Sequence, residues 1–83
     1  MEIKVKRIKS LITTDAYEMI LCFDNNETRI VDFKRDVIPH NAAFKVLEDL
    51  QIFKGAKAQN SAVVWDSVDI DIEAADLYEV SKS

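Results

Sequence analysis

The chain has 83 residues, of which 48% are hydrophobic, and it carries 11 Lys or Arg against 15 Asp or Glu, a net charge of −4. Frequent apolar residues together with charges of both signs exclude a disordered tail. No apolar run approaches the ~20 residues of a bilayer span, and the acidic balance argues against a nucleic-acid binder, which needs a basic surface.

We therefore expect residues 1–83 to form a single domain in the cytoplasm. The first residues lack the apolar segment of a signal peptide. Cys22 is the only cysteine, so an internal disulfide is excluded and nothing indicates an oxidising compartment. Residues 58–83 hold six acids and only Lys82 as a base, and this acidic end is expected to attract a basic partner.

A β-hairpin is the strongest local prediction. Ile3, Val5 and Ile8 alternate with lysines and predict an exposed first strand, followed by a connection over 10–15. Residues 17–23 alternate cleanly and predict a second strand with Tyr17, Met19, Leu21 and Phe23 on one face. Asp24-Asn25-Asn26-Glu27 predicts a tight turn, and residues 28–33 return as the partner strand.

This hairpin has a second apolar face, carried by Ile20, Cys22 and Val31, with Ile30 also available. A half-solvated sheet alternates more cleanly than this. Because so short a chain has few elements with which to cover both faces, one face is predicted to be an interface. Ile20, Cys22 and Val31 are therefore candidate partner contacts.

The later elements predict an α+β fold: a small antiparallel sheet of three to five strands with one main helix and a short C-terminal helical turn. Asn41 is a plausible N-cap, and Phe44, Leu47 and Leu50 give the helix Ala42–Leu50 one apolar stripe. Ile52-Phe53 is expected to tuck the exit of this helix into the core. Residues 62–65 and 68–72 predict strands, and residues 73–78 predict the helical turn.

Three runs in this order resemble the motifs of a small bacterial family called domain of unknown function 2442. They correspond to its hairpin, its helix with the following exit, and its tail: Tyr17-x-Met19-x-x-x-Phe23-Asp24-Asn25-Asn26-x-x-Arg29-x-Val31-Asp32-Phe33, Phe44-x-x-Leu47-x-Asp49-x-x-x-Phe53, and Trp65…Asp69-Ile70…Leu77-Tyr78. Asn26 replaces the usual turn glycine, and Asp66-Ser67 replaces the usual Pro and Gly. The resemblance implies a compact α+β domain of the bacterial cytosol, no assigned catalytic activity, and an antitoxin-like role beside small toxin-like partners.

The acids after Trp65 have two interpretations. Asp66, Asp69, Asp71 and Glu73 superficially resemble a calcium loop, but a loop that starts at Asp69 has Ala74 where glycine is needed and Val80 where the bidentate Glu is needed. On the strand interpretation, Asp69, Asp71 and Glu73 form a solvated face on which a partner can dock. Trp65 is either core packing or a partner-facing anchor, so Trp65, Asp66, Asp69 and Asp71 are candidate partner contacts.

No catalytic constellation is present in the sequence. His40 is the only histidine, no element activates the Cys22 thiol, and one glycine cannot build a phosphate loop. We therefore expect no enzyme activity, no cofactor and no metal site. The predicted function is a protein-interaction module that is antitoxin-like or self-associating as a homodimer, with a small basic or toxin-like protein as the other partner. The alternative is a small-molecule or ion-binding domain that uses the acidic C-terminal segment.

Overall fold

The computed structural model describes residues 6–82. The chain forms two three-stranded antiparallel sheets, with short helical segments between them and a helix at the end. The first sheet has the order β1-β2-β3 and the second the order β4-β5-β6. The strands are β1 (Ile8–Thr13), β2 (Glu18–Phe23), β3 (Thr28–Asp32), β4 (Lys57–Gln59), β5 (Ala62–Trp65) and β6 (Ile70–Glu73); the α-helices are α1 (Phe33–Asp36), α2 (Leu50–Phe53) and α3 (Ala74–Val80). The predicted α+β class is confirmed.

The predicted hairpin is β2 and β3 with the turn between them. Asn26 has a φ of 67°, a left-handed conformation that Asn tolerates better than most residues. Its amide donates to the Phe23 carbonyl at 2.9 Å, and the Phe23 amide donates to the Glu27 carbonyl at 2.9 Å. Asn26 therefore fulfils the role of the turn glycine that this sequence lacks.

Within the described residues, the first strand starts at Ile8. Ile3 and Val5 lie outside the described residues, and the predicted connection over 10–15 is wrong because β1 continues to Thr13. A bulge explains the misprediction: Ile8 pairs with Phe23 and Ser10 pairs with Cys22, so one extra residue interrupts the alternation.

The predicted main helix is not an α-helix. Ala42–Glu48 is a 3₁₀ segment, preceded by a second 3₁₀ turn at Ile38–His40, and α2 begins only after Asp49. The N-cap prediction is confirmed, since Asn41 Oδ1 accepts from the Ala43 amide at 2.9 Å. Asp49 is extended and accepts from the Gln51 amide at 3.0 Å, which restarts the chain as a new helix. Phe44, Leu47 and Leu50 recur every three residues, the period of a 3₁₀ helix rather than of an α-helix.

One hydrophobic core joins both sheets and α3. It includes Leu21 and Phe33 from the hairpin region, Val63 and Trp65 from β5, and Leu77 from α3. The Trp65 indole donates to the Phe53 carbonyl at 3.0 Å, and its ring meets the Phe33 ring edge-on at 5.8 Å. These two contacts join the second sheet to α2 and to α1, the helix that follows the first sheet.

Candidate interaction surface

Strand pairing aligns three isoleucines across the outer face of the first sheet. Ile20 in the middle strand pairs with Ile12 on one side and with Ile30 on the other, so all three side chains emerge from the same face. Ile12 is 63% exposed and Ile30 is 41% exposed, while Ile20 is half-buried between them. We call these three residues the isoleucine row. None of them belongs to the core cluster of residues 6–82.

Polar groups of different character lie on the two sides of the isoleucine row. Towards the hairpin turn, Cys22 pairs with Ser10 and with Thr28, which gives a line of thiol and hydroxyl groups. On the opposite side, Glu18 pairs with Asp32, so two carboxylates lie next to each other on that face.

Lys82 extends the row beyond its third strand. Its amide and carbonyl each form a 2.8 Å hydrogen bond with the backbone of Ile30, so the C-terminal end occupies the outer edge of β3. A depression of about 230 Å³ lies at this end of the face, bordered by Glu18, Ile30, Asp32, Arg35 and Lys82.

The partner contacts predicted in the hairpin lie on different faces of the first sheet. Ile20 and Cys22 lie on the outer face, as predicted, and both are half-buried. Val31 is wrong as a partner contact because it pairs with Met19 on the inner face and is fully buried. The sequence predicts a connection at Ile12 and gives no reason to select Ile30, so the pattern alone does not identify these two outward-facing isoleucines. The pairing of Cys22 with Thr28 at the turn fixes which of Ile30 and Val31 points outwards.

Trp65 is likewise wrong as a partner contact, because its side chain is only 1% exposed. The core interpretation of this residue is confirmed. Its polar atom is satisfied internally by the Phe53 carbonyl, so Trp65 has neither the surface nor the free donor of an interface anchor.

The acids after Trp65 lie in and beside the turn between β5 and β6. Asp66, Asp69 and Asp71 are exposed, and Asp69 has a φ of 56°. The Asp66 carboxylate lies 3.8 Å from the Lys57 ammonium. The solvated-face interpretation is confirmed for Asp71, which alternates with the buried Ile72. Within residues 6–82, the structure contains no group of three or more His, Cys, Asp and Glu side chains that could hold a metal ion.

A polar cluster fastens the C-terminal end to the hairpin. The Tyr78 hydroxyl lies 2.9 Å from both carboxylate oxygens of Glu27, and the Arg29 guanidinium donates to Glu27 Oε2 at 2.9 Å and to the Ser81 carbonyl at 3.0 Å. The Tyr78 hydrogen bond, followed by the Arg29 hydrogen bond, lowers the pKa of Glu27. The same bond to Glu27 raises the pKa of Tyr78. These four residues, which we call the C-terminal clasp (Glu27, Arg29, Tyr78 and Ser81), join the C-terminal segment to the hairpin through side-chain hydrogen bonds.

None of the helices in residues 6–82 has the length and apolar character needed to cross a membrane. Comparison with known proteins finds one family, described as protein of unknown function (DUF2442), over residues 8–83. Searches of curated proteins and of solved structures give no significant match. The family match spans both sheets, the isoleucine row and the C-terminal clasp, and the chain therefore belongs to the DUF2442 family.

Proposed function

We propose that this chain is a non-catalytic protein-interaction module of the bacterial cytoplasm that associates with a second copy of itself through the outer face of its first sheet. The observation that carries the proposal is the isoleucine row, with Ile12 63% and Ile30 41% exposed on one sheet face. A contiguous apolar patch that is bordered by polar residues is the kind of surface that interaction sites use.

The size of this face predicts a weak complex. Three strands about 4.8 Å apart and five or six residues long at about 3.3 Å each cover roughly 15 by 18 Å. Such a patch is smaller than the roughly 800 Å² per partner of a standard interface. Burying it yields about 25 cal/mol per Å² of apolar surface before the cost of association. We therefore expect a dissociation constant in the micromolar range and rapid exchange between monomer and dimer.

The polar groups of the face are complementary to those of a second copy in one orientation. A two-fold axis that runs along the isoleucine row places isoleucine against isoleucine, Glu18 opposite Cys22, and Asp32 opposite Thr28. An axis along the strands instead places the carboxylates of one copy against those of the other, which is repulsive. The favoured orientation leaves Lys82 opposite Lys82 only at the exposed rim, where its flexible side chain can turn towards a carboxylate.

The test is Ile12→Lys, measured by analytical ultracentrifugation over the micromolar range. The wild-type protein should form dimers as the concentration rises, and Ile12→Lys should remain monomeric because it places an ammonium in the apolar row. Val46→Lys is the matched control, since Val46 is an exposed apolar residue (37%) of the 3₁₀ segment and not of the sheet. A wild-type protein that stays monomeric up to high-micromolar concentrations contradicts the proposal, as does a dimer that survives Ile12→Lys.

Cys22 provides an independent readout on the same face. It is the only cysteine, it is half-buried, and it lies next to the isoleucine row. Its reaction with a thiol reagent should slow as the protein concentration rises, because the partner covers it. The reaction should proceed at one concentration-independent rate in Ile12→Lys. Equal concentration dependence in the two proteins contradicts association through this face.

The family resemblance and the acidic C-terminal segment support a second partner, a small basic or toxin-like protein, in an antitoxin-like role. Asp66, Asp69 and Asp71 are exposed, and of these only Asp66 has a lysine within 4 Å in residues 6–82. Capture experiments with the products of adjacent genes test this role. A specific complex should weaken when Asp69 and Asp71 are replaced by Lys, and unchanged capture by that variant contradicts it.

The alternative function, ion or small-molecule binding at the acidic segment, rests on a polar depression of about 300 Å³ beside the β5–β6 turn. Gln59, Asp66 and Asp69 border this depression, and Trp65 also lines it. Titration with calcium or magnesium, followed by Trp65 fluorescence, tests the ion-binding version. Unchanged emission and unchanged thermal stability at millimolar ion exclude it.

A further inference from the structure

A groove of about 300 Å³ lies between the segment after α1 and the C-terminal helix α3. Its apolar lining comes from Val37 and Phe44 on one side and from Ile72, Leu77 and Val80 on the other. Val80 is 37% exposed, although its neighbours Val37, Ile72 and Leu77 belong to the core. The groove is therefore an opening through which solvent reaches the edge of the core.

The rim of the groove carries acidic groups. Asp36 and Asp76 line it, together with His40 and Asn41. Asp36 is already paired, since Arg35 donates to both of its carboxylate oxygens at 3.0 and 2.8 Å. Asp76 is exposed and makes no ion pair within 4 Å among residues 6–82.

The surroundings of Asp76 reinforce this charge. α3 and its N-cap contain three acids and no base: Glu73, Asp76 and Glu79. Lys82 is the only base within residues 58–82, and its backbone is held at β3. On the other side of the groove, Arg35 is paired with Asp36, and the charges of Lys82 and His40 also act on Asp36. The α3 side of the groove therefore presents a net negative surface beside an apolar floor.

We infer that this groove binds an apolar side chain of a protein partner whose neighbouring residues are Lys or Arg. The apolar floor would take a leucine-like or isoleucine-like side chain, and Asp76 would hold the adjacent cation. A volume of about 300 Å³ is at the lower end of ligand pockets, and it suits one or two side chains of a peptide segment. The inference rests on the proposal that the chain is a protein-interaction module, but it uses a different surface and requires no self-association.

The probe is a short synthetic peptide with two leucines flanked by lysines, titrated into the full ¹⁵N-labelled chain and followed by NMR. Saturable shifts should concentrate on the amides of Phe44, Leu77 and Val80. A peptide with the leucines replaced by alanine should cause no saturable shift, because it lacks the apolar anchor. A peptide with the lysines replaced by glutamate should also fail, because it meets Asp76 with like charge.

Two variants and one matched control locate the site. Val80→Lys should abolish binding, because it places a cation at the mouth of the groove. Asp76→Lys should weaken binding about fivefold, as expected for an exposed ion pair. Glu79→Lys makes the same change of charge on α3 at a residue that does not line the groove, so it should weaken binding much less than Asp76→Lys.

Three outcomes overturn the inference: no saturable shifts with the lysine peptide, shifts that appear mainly on the isoleucine row, or equal weakening by Asp76→Lys and Glu79→Lys. The monomeric variant Ile12→Lys separates this result from the proposed self-association. It should bind the peptide as the wild-type chain does, so loss of the dimer and loss of peptide binding are distinguishable.

Discussion

Both faces of the first sheet carry large apolar side chains, but those side chains are buried on one face and partly exposed on the other. On the inner face, Met19, Leu21 and Val31 are fully buried. On the outer face, Ile12 and Ile30 keep 63% and 41% of their surface exposed. Apolar residues next to each other in one strand therefore differ in burial, because the pleat points their side chains to opposite faces.

The number of covering elements explains the difference. The second sheet, α2 and α3 all contribute to the core on the inner side, through residues such as Trp65, Phe53 and Leu77. A chain of this length buries only a little over 60% of its unfolded surface, which is too little to cover both faces of the sheet. Among residues 6–82, the elements that pack against the sheet lie on its inner side, which leaves the outer face open to water or to another molecule.

The largest effect should come from shortening an inner-face side chain. Leu21→Ala removes a fully buried side chain and leaves a cavity, so we expect the free energy of unfolding to fall by about 2–5 kcal/mol. Ile20→Ala, one residue away on the outer face, should lower it by about 1 kcal/mol or less, through lost strand packing alone. Urea denaturation at low protein concentration, where the proposed dimer would be absent, measures both. Equal losses for the two variants would contradict the distinction between the faces.

A smaller effect is expected where the second sheet meets the same core. Trp65→Phe keeps an aromatic ring but removes the hydrogen bond from the indole to the Phe53 carbonyl. That carbonyl still accepts from the Ala56 amide at 3.3 Å, so it is not left unpaired. We therefore expect a loss of about 1–2 kcal/mol in the free energy of unfolding, from the bond and from the smaller ring. Denaturation followed by circular dichroism measures it. A loss above that of Leu21→Ala would reverse this order.

The sequence was sufficient for the hairpin but not for the choice between its faces. Alternation over residues 17–23 and the Asn-rich turn predict two strands without reference to the rest of the chain. The adjacent pair Ile30 and Val31 is different, because both are β-branched and apolar. Only the pairing register with β2 places Val31 inside and Ile30 outside. The bulge in β1 shifts the alternation by one residue, so the sequence pattern does not show that Ile12 lies in a strand on the outer face.

The helical segments show the same limit. The spacing of Phe44, Leu47 and Leu50 fits one face of an α-helix over a short window, and it also fits the three-residue period of the observed 3₁₀ segment. The Asp49 side chain caps α2, which favours a new helix over one continuous helix. The types of the residues alone do not show which of these two local hydrogen-bonding patterns is more stable. The sequence leaves Trp65 open between core and interface, because it gives the type of a side chain but not its distance from the Phe53 carbonyl.

The smallest expected effect comes from the edge of the inner face, where charged side chains replace the apolar ones. Arg29 pairs with Leu21 in the sheet register, yet its guanidinium turns to Glu27 and Ser81 in the C-terminal clasp. Hydrogen bonds from Tyr78 and then from Arg29 lower the pKa of Glu27 below its ordinary value of 4.5. The ionised carboxylate therefore stabilises the fold above about pH 4.5, and this stabilisation is lost as the pH falls through the folded-state pKa.

Glu27→Gln removes this contribution, so the variant should be slightly less stable than the wild-type chain at neutral pH. The difference should vanish as the pH falls through the folded-state pKa of Glu27, where the wild-type carboxylate is also uncharged. Asp36 has a pKa lowered by Arg35 and titrates in the same acidic range, but it is present in both proteins and cancels in the difference. Thermal melts from pH 7 to pH 3 measure the two curves. Tyr78→Phe, which removes the largest cause of the low pKa of Glu27, should shift the acid transition of that carboxylate to higher pH. If the difference in stability between the two proteins stayed constant from pH 7 to pH 3, Glu27 would stabilise the fold by packing and not by its charge. The edge of the inner face would then be held together in the same way as its apolar centre.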